Sequence, residues 1–254
     1  MNNFIARTVI ALVLLGSVGA RAEELVVSLG AERIAIRSNF TGAAVSVVGV
    51  IERDAATVAR VGNYDAVVTV RGPRGAMSVW RKEPWGPLWL NLEQRKYIAI
   101  PAFISVLSNR PLDAIVQAGL RERLRIGVES LIPEQSIARG ADTKEFRTAL
   151  QRLRRQEGLF LTNEAAVRFV TPSVLQARIE IPGRAPLGQY NVEVALFSDG
   201  TLLARKEQSF TVTKAGVEQA FSIAARELGL YYGIATSLIA LMFGWLASAV
   251  FRRD

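Results

Sequence analysis

No cysteine and no histidine occur in the 254 residues of this chain. The first absence excludes disulfides, thiol nucleophiles and thiolate metal sites. The second removes the usual general base near neutral pH, the Ser-His and Cys-His nucleophile systems, and most zinc or copper sites. Enzymatic chemistry would have to run on a carboxylate pair or a Ser-Lys dyad, and no local motif for either is present. We therefore expect a protein that is not an enzyme, with no catalytic residue, no cofactor and no metal; a His-free hydrolase is the remaining enzymatic alternative.

Charge is also absent from one long stretch. Leu228 to Phe251 runs 24 positions without a charged residue or a proline, and Arg252, Arg253 and Asp254 follow it. A helix rises ~1.5 Å per residue and about 20 apolar residues cross the hydrocarbon layer, so 228–251 is predicted to be a transmembrane helix. The arginine pair places residues 252–254 in the cytoplasm by the positive-inside rule. At the other end Arg7 precedes an apolar run, Thr8 to Val18, and Ala20-Arg21-Ala22 supplies small residues before a cut at Glu23. Residues 1–22 thus read as a secretory signal peptide, with an uncleaved anchor as the rival. Both ends predict a single-pass inner-membrane protein whose body is periplasmic.

The formal charge of +8 leaves +5 on the exported part once both ends are set aside. Ten basic and six acidic residues lie between Arg110 and Arg155. Outside the cytoplasm nucleic acid is not the expected counter-charge; the lipid bilayer, an anionic envelope ligand or an acidic partner is.

From Leu25 to about Leu107 the sequence is strand-like. Leu25–Ser28, Arg33–Ile36, Ala44–Ile51 and Ala66–Val70 alternate or are β-branched, Arg71–Gly75 is a turn by composition, and Ala76–Trp80 resumes a strand. Trp80 to Asn91 then holds three of the four tryptophans, Trp80, Trp85 and Trp89, beside Arg81 and Lys82 and around Pro84 and Pro87. Such a stretch either plugs a core or presents a recognition surface at a ligand or a head-group interface. As a ligand or partner surface we select Arg71, Arg74, Trp80, Arg81, Lys82, Trp85 and Trp89.

The order Arg71-Gly72-Pro73, Arg81-Lys82, Trp89-Leu90-Asn91, Ile100-Pro101-Ala102-Phe103 and Ser108-Asn109-Arg110-Pro111-Leu112 resembles that of the uncharacterised alphaproteobacterial proteins grouped as putative transmembrane proteins. The resemblance covers the whole chain and implies the same topology. It also implies an accessory place beside a permease, a transporter of the sulfite-exporter type, and carries over no catalytic residue.

Beyond Leu107, Ser108-Asn109 before Pro111 is expected to cap a helix with Leu112, Ile115 and Val116 on one face, continuing toward Leu120 and Leu124. Asp142 and Glu145 form a capping-box pattern for a second helix, with Phe146, Ala149, Leu150 and Leu153 on one side and Gly158 at its end. Ile126 to Arg139 between them has no clear signal. Strands return from Leu159, and Pro186-Leu187-Gly188-Gln189-Tyr190 enters a strand that turns at Ser198-Asp199-Gly200 into a hairpin. That entry is similar to the late strands of immunoglobulin-like sandwiches.

The expected fold is mainly β: an immunoglobulin-like β-sandwich with a helical insertion and one C-terminal transmembrane helix. Its parts are residues 23–108 and 159–213 for the sandwich, 109–158 for the insertion, 214–227 for a juxtamembrane amphipathic helix, and 228–251 for the span. Two small sandwiches bridged by helices fit the same order. Within the span Gly229, Gly233, Ala240, Gly244 and Ser248 recur at small-residue spacing and form a candidate helix–helix interface, toward a permease or a second copy.

Overall fold

The computed structural model describes residues 23–36, 42–53, 64–132, 137–139, 144–214 and 229–251. The predicted signal peptide, the amphipathic segment 214–227 beyond Lys214, the tail 252–254 and the capping residue Asp142 lie outside these. The described chain is mainly β.

Four strands form one antiparallel sheet in the order β1 (Glu23–Leu29), β3 (Gly42–Arg53), β11 (Val174–Pro182), β10 (Val167–Thr171). Each alternates buried and exposed residues, as a strand with one wet face must: Leu25, Val27, Val45, Val47, Leu175, Ala177, Ile179 and Ile181 point inward. A six-stranded sheet faces it, in the order β2 (Arg33–Ile36), β13 (Thr201–Lys214), β12 (Gly188–Ser198), β4 (Tyr64–Arg71), β7 (Ile104–Ser108), β9 (Phe160–Asn163). Its two outer pairs, β13 with β2 and β7 with β9, are parallel; the others are antiparallel.

The centre of this second sheet is covered on both sides. Tyr64 to Val70 are all buried, and the run is β-branched on both faces rather than alternating. One face meets the four-stranded sheet. The residues 109–132 supply further core: Leu112, Ile115, Val116, Ile126, Val128, Leu131 and Ile132 join the same contiguous cluster of buried side chains. The stretch after Ile126, which shows no periodicity in sequence, is thus a core-forming segment.

Two short helices, α1 (Leu112–Ile115) and α2 (Ala118–Arg123), replace the continuous helix expected there. The expected Ser108-Asn109 cap is not made. Asn109 is used across the sheet instead, its Oδ1 accepting from the Ala66 N–H and its Nδ2 donating to Asp65. Helix α3 (Lys144–Gln156) ends as the sequence predicts, with the Gly158 N–H donating to the Arg155 carbonyl and the Leu159 N–H to Arg154. Helix α4 (Gly229–Phe251) is 23 residues long. Among the described residues no helix is long and apolar enough to cross a membrane.

Candidate functional site

The stretch rich in tryptophan is neither a loop nor a core plug. It is the far end of a hairpin made of β5 (Arg74–Trp85) and β6 (Leu88–Pro101), edged by β8 (Ile137–Arg139). This hairpin continues the β4–β7 ladder. Arg71 pairs with Ile104 at the end of one ladder and Arg74 with Pro101 at the start of the next. Between them the Gly72 N–H donates to the Phe103 carbonyl at 2.9 Å and the Ala102 N–H to the Pro73 carbonyl at 2.8 Å. The turn expected at Arg71–Gly75 is therefore a paired junction that bends at Ala102, with Gly72 and Pro73 both bonded to the opposite strand.

Two irregularities shape the ribbon beyond it. Ile98 and Ala99 stand opposite Ala76 alone, with Ala99 at φ 55°, and Leu92 is inserted between the pairs Arg81–Glu93 and Lys82–Asn91. Such bulges bend the bulged strand and add twist. Gly86 and Pro87 close the hairpin. Gly86 has φ +60°, which a side chain would strain, and proline fixes its own φ near −65°, the pairing of a two-residue type II′ turn.

Alternation along β5 sorts the side chains. Met77 and Val79 are buried, opposite buried Tyr97 on β6. Further out on the same face, Arg81 and Arg95 lie over the ring of Phe146 on α3, 5.7 and 4.9 Å from its centroid. Arg81 also pairs with Glu83, Glu93 and Glu145, at 2.8, 2.5 and 3.5 Å. The hydrogen bond to Glu83, with the nearby carboxylates, raises the guanidinium pKa above its ordinary value. Arg81 is thus a clasp between the ribbon and α3.

The cover given by α3 stops there, and the tip is bare on both faces. Trp85, Leu88 and Trp89 are 66, 56 and 68% exposed, with Leu90 and Leu92 exposed behind them. On the outer face Trp80, Lys82 and Lys96 are exposed as well, and neither lysine forms an ion pair with a described residue. A cleft of about 300 Å³ between β5 and α3 is lined by Val79, Trp80, Arg81, Lys82, Glu145, Phe146, Ala149 and Arg152.

Of the seven residues selected from sequence, the structure brings Trp80, Arg81, Lys82, Trp85 and Trp89 onto the outer half of the ribbon and Arg74 to its base. Arg71 lies apart in β4, paired with Glu193, whose carboxylate also accepts from Arg205 at 2.5 Å. Leu88, Leu90, Leu92 and Phe146 belong to the site and were not selected; the alternation of Leu88, Leu90 and Leu92 was a strand signal, but nothing in it says that the strand stays uncovered. A larger groove, about 770 Å³, follows β1, β2 and β13 past Ser28, Glu32, Arg33 and Gln208. Gln208 there already donates to the Val27 carbonyl at 3.3 Å, and no cluster of like charge or exposed aromatics marks the groove. Among the described residues no three His, Cys, Asp or Glu side chains are grouped to hold a metal ion.

On α4, Gly229, Gly233, Ala240, Gly244 and Ser248 are exposed, and a β-carbon built on any of the three glycines would meet no described atom within 4 Å beyond the backbone of its own helix. The Ser237 hydroxyl donates to the Gly233 carbonyl at 2.8 Å, so its polar group is satisfied within the helix.

The fold and site thus define a mainly β protein with an exposed apolar ribbon and an uncharged helix at the end of the described chain. The chain belongs to the family described as Putative transmembrane protein (Alph_Pro_TM), whose model matches residues 24–253. No curated protein matches it significantly.

Proposed function

We propose that this protein is a membrane-anchored accessory subunit with no enzymatic activity of its own. Its body stands in the periplasm behind a cleaved signal peptide, α4 crosses the inner membrane, and residues 252–254 reach the cytoplasm. The observation that carries the reading is the exposure of α4: Leu241 and Trp245 are each 71% exposed and Phe243 64%, on a helix without a charge. Apolar surface of that extent requires a cover, and lipid is the cover its composition fits. The small-residue side of the same helix lets a second helix approach closely, which supports a permease or another copy as partner. The family resemblance supports a transporter of the sulfite-exporter type.

Photocrosslinking in intact cells from a reactive residue at Gly233 or Gly244 tests this. An adduct with an integral membrane protein is expected; recovery of the chain only as a monomer in mild detergent would overturn it.

The immunoglobulin-like reading of the body is supported by strand order. β1-β3-β11-β10 follows the A-B-E-D pattern and β13-β12-β4-β7 the G-F-C-C′ pattern, so the projecting ribbon prolongs the C–C′ pair. Tyr190, at the head of β12, donates to the Pro186 carbonyl at 2.6 Å, the bond of a tyrosine corner.

A second reading, a binding module for an anionic envelope ligand, is favoured by the cleft beside Trp80, Lys82 and Arg152. Unchanged ligand retention in a Lys82→Ala, Arg152→Ala double variant would remove it.

A further inference from the structure

We propose that the β5–β6 hairpin is a second membrane contact: its tip, Pro84 to Leu92, seats in the head-group and upper acyl region of the bilayer that holds α4. The inference rests on the anchored reading above and assigns the ribbon a ligand, the lipid surface.

Composition is the first argument. The tip presents Trp85, Leu88, Trp89, Leu90 and Leu92 to the outside with Pro84 and Pro87, and no described residue covers them. Tryptophan is enriched at the membrane–water boundary, where its ring sits among head groups, and leucine supplies the acyl-directed area. Behind the tip stand Lys82 and, further back on the same outer face, Lys96. A cation that stays at head-group level above buried apolar side chains is the arrangement anionic lipid favours.

The second argument is topological. β13 delivers the chain toward α4, and it ends at Lys214 beside Ile36. Two residues earlier Val212 pairs with Gly188, and a β-carbon on Gly188 would stand 3.1 Å from the Pro73 Cβ, at the root of the hairpin. The ribbon and the chain leading to α4 therefore leave the six-stranded sheet at the same end. Glu23, where the described chain enters, lies at the opposite end: its carboxylate accepts from the hydroxyl of Tyr64, the first residue of β4, at 2.8 Å.

The third argument is reach. Twelve residues of β5 extend about 40 Å at ~3.3 Å per residue. Residues 215–228 can span at most about 50 Å at ~3.3–3.6 Å per residue. The two lengths are comparable, so a body held by that connection keeps the tip close to the bilayer, at high effective concentration. Two contacts would fix the tilt of the body on the membrane, which a single point of attachment cannot do.

The absence of cysteine permits a direct test. The full chain is reconstituted in liposomes of zwitterionic and anionic phospholipid with an environment-sensitive fluorophore on a single cysteine at Leu88→Cys, Leu241→Cys or Glu180→Cys. Glu180 is exposed on β11 and serves as the water control. Quenching is read with lipids that carry a nitroxide at a shallow acyl position for the label at 88 and at a deep acyl position for the label at 241, with both used for the label at 180. The expected result is a blue-shifted, quenched label at 88, a quenched label at 241 and an unquenched label at 180. Adding Trp85→Asp and Trp89→Asp should return the label at 88 to the emission of the one at 180.

A label at 88 that behaves like that at 180 while 241 is quenched overturns the hairpin contact and leaves the anchor intact. An unquenched label at 241 overturns the anchor itself. A label at 88 that is unquenched in pure lipid but shielded from a water-soluble quencher in native membranes overturns the lipid assignment in favour of a protein partner.

Discussion

Pro73 and Gly188 lie against each other, so that a β-carbon on Gly188 would come within 3.1 Å of the proline Cβ. The contact joins the root of the hairpin to the head of β12. Gly188 also has φ +134°, a backbone region closed to residues with side chains. Gly188→Val therefore meets both a strained backbone and a rigid ring. We expect a loss of about 2–3 kcal/mol, measured by denaturant unfolding.

Glu193 is buried in β12 and accepts from Arg71 and Arg205. Replacement by leucine would leave Arg71, 17% exposed, without its partner, while Arg205 can turn to water. Loss of a buried partner strands the other charge. Arg205 is 40% exposed, which limits the expected cost to about 2 kcal/mol, and Glu193→Gln, which keeps an acceptor, should cost about half as much.

Tyr190 has its phenol pKa raised by burial, above the ordinary value near 10. Unfolded tyrosine ionises first, so the associated stability is complete below about pH 10 and is lost as pH rises further. Tyr190→Phe should lower stability at neutral pH by about 1 kcal/mol through loss of the bond to Pro186, and flatten the alkaline limb of the stability curve. Thermal unfolding of both forms between pH 8 and 11 checks each half of this expectation.

Phe146 holds α3 to the ribbon beneath Arg81 and Arg95 and is 3% exposed. Phe146→Ala should cost about 3 kcal/mol and release α3 ahead of the sandwich. Hydrogen exchange resolves this: protection in 144–156 should fall while β4 and β12 keep theirs.

Trp85 and Trp89 are exposed, so Trp85→Ser with Trp89→Ser should change stability by less than about 0.5 kcal/mol per site. A large loss would mean that the tip is covered in the folded protein.

Most elements of the fold were legible in the chain. β1, β3, β4 and β11 follow from β-branched or alternating runs, and the Asp199-Gly200 turn and the Gly158 end of α3 follow from local hydrogen-bond chemistry. The long helix is written in 24 uncharged residues. The candidate site was legible as a composition but not as a place. Alternation tells which residues share a face of β5, not whether α3 reaches far enough to cover them, and it stops at Arg81.

By itself the sequence determined the chemistry excluded by having no cysteine or histidine, the mainly β character, and the apolar helix, because these depend on residue type and short-range spacing. Only the tertiary structure decided that Arg71–Pro73 leads from one ladder into the next instead of reversing the chain, that Arg71 pairs with Glu193, and that three tryptophans face outward. Each of those rests on a partner far along the chain, Phe103, Glu193 or Phe146, and spacing within one segment carries no information about a surface supplied by another.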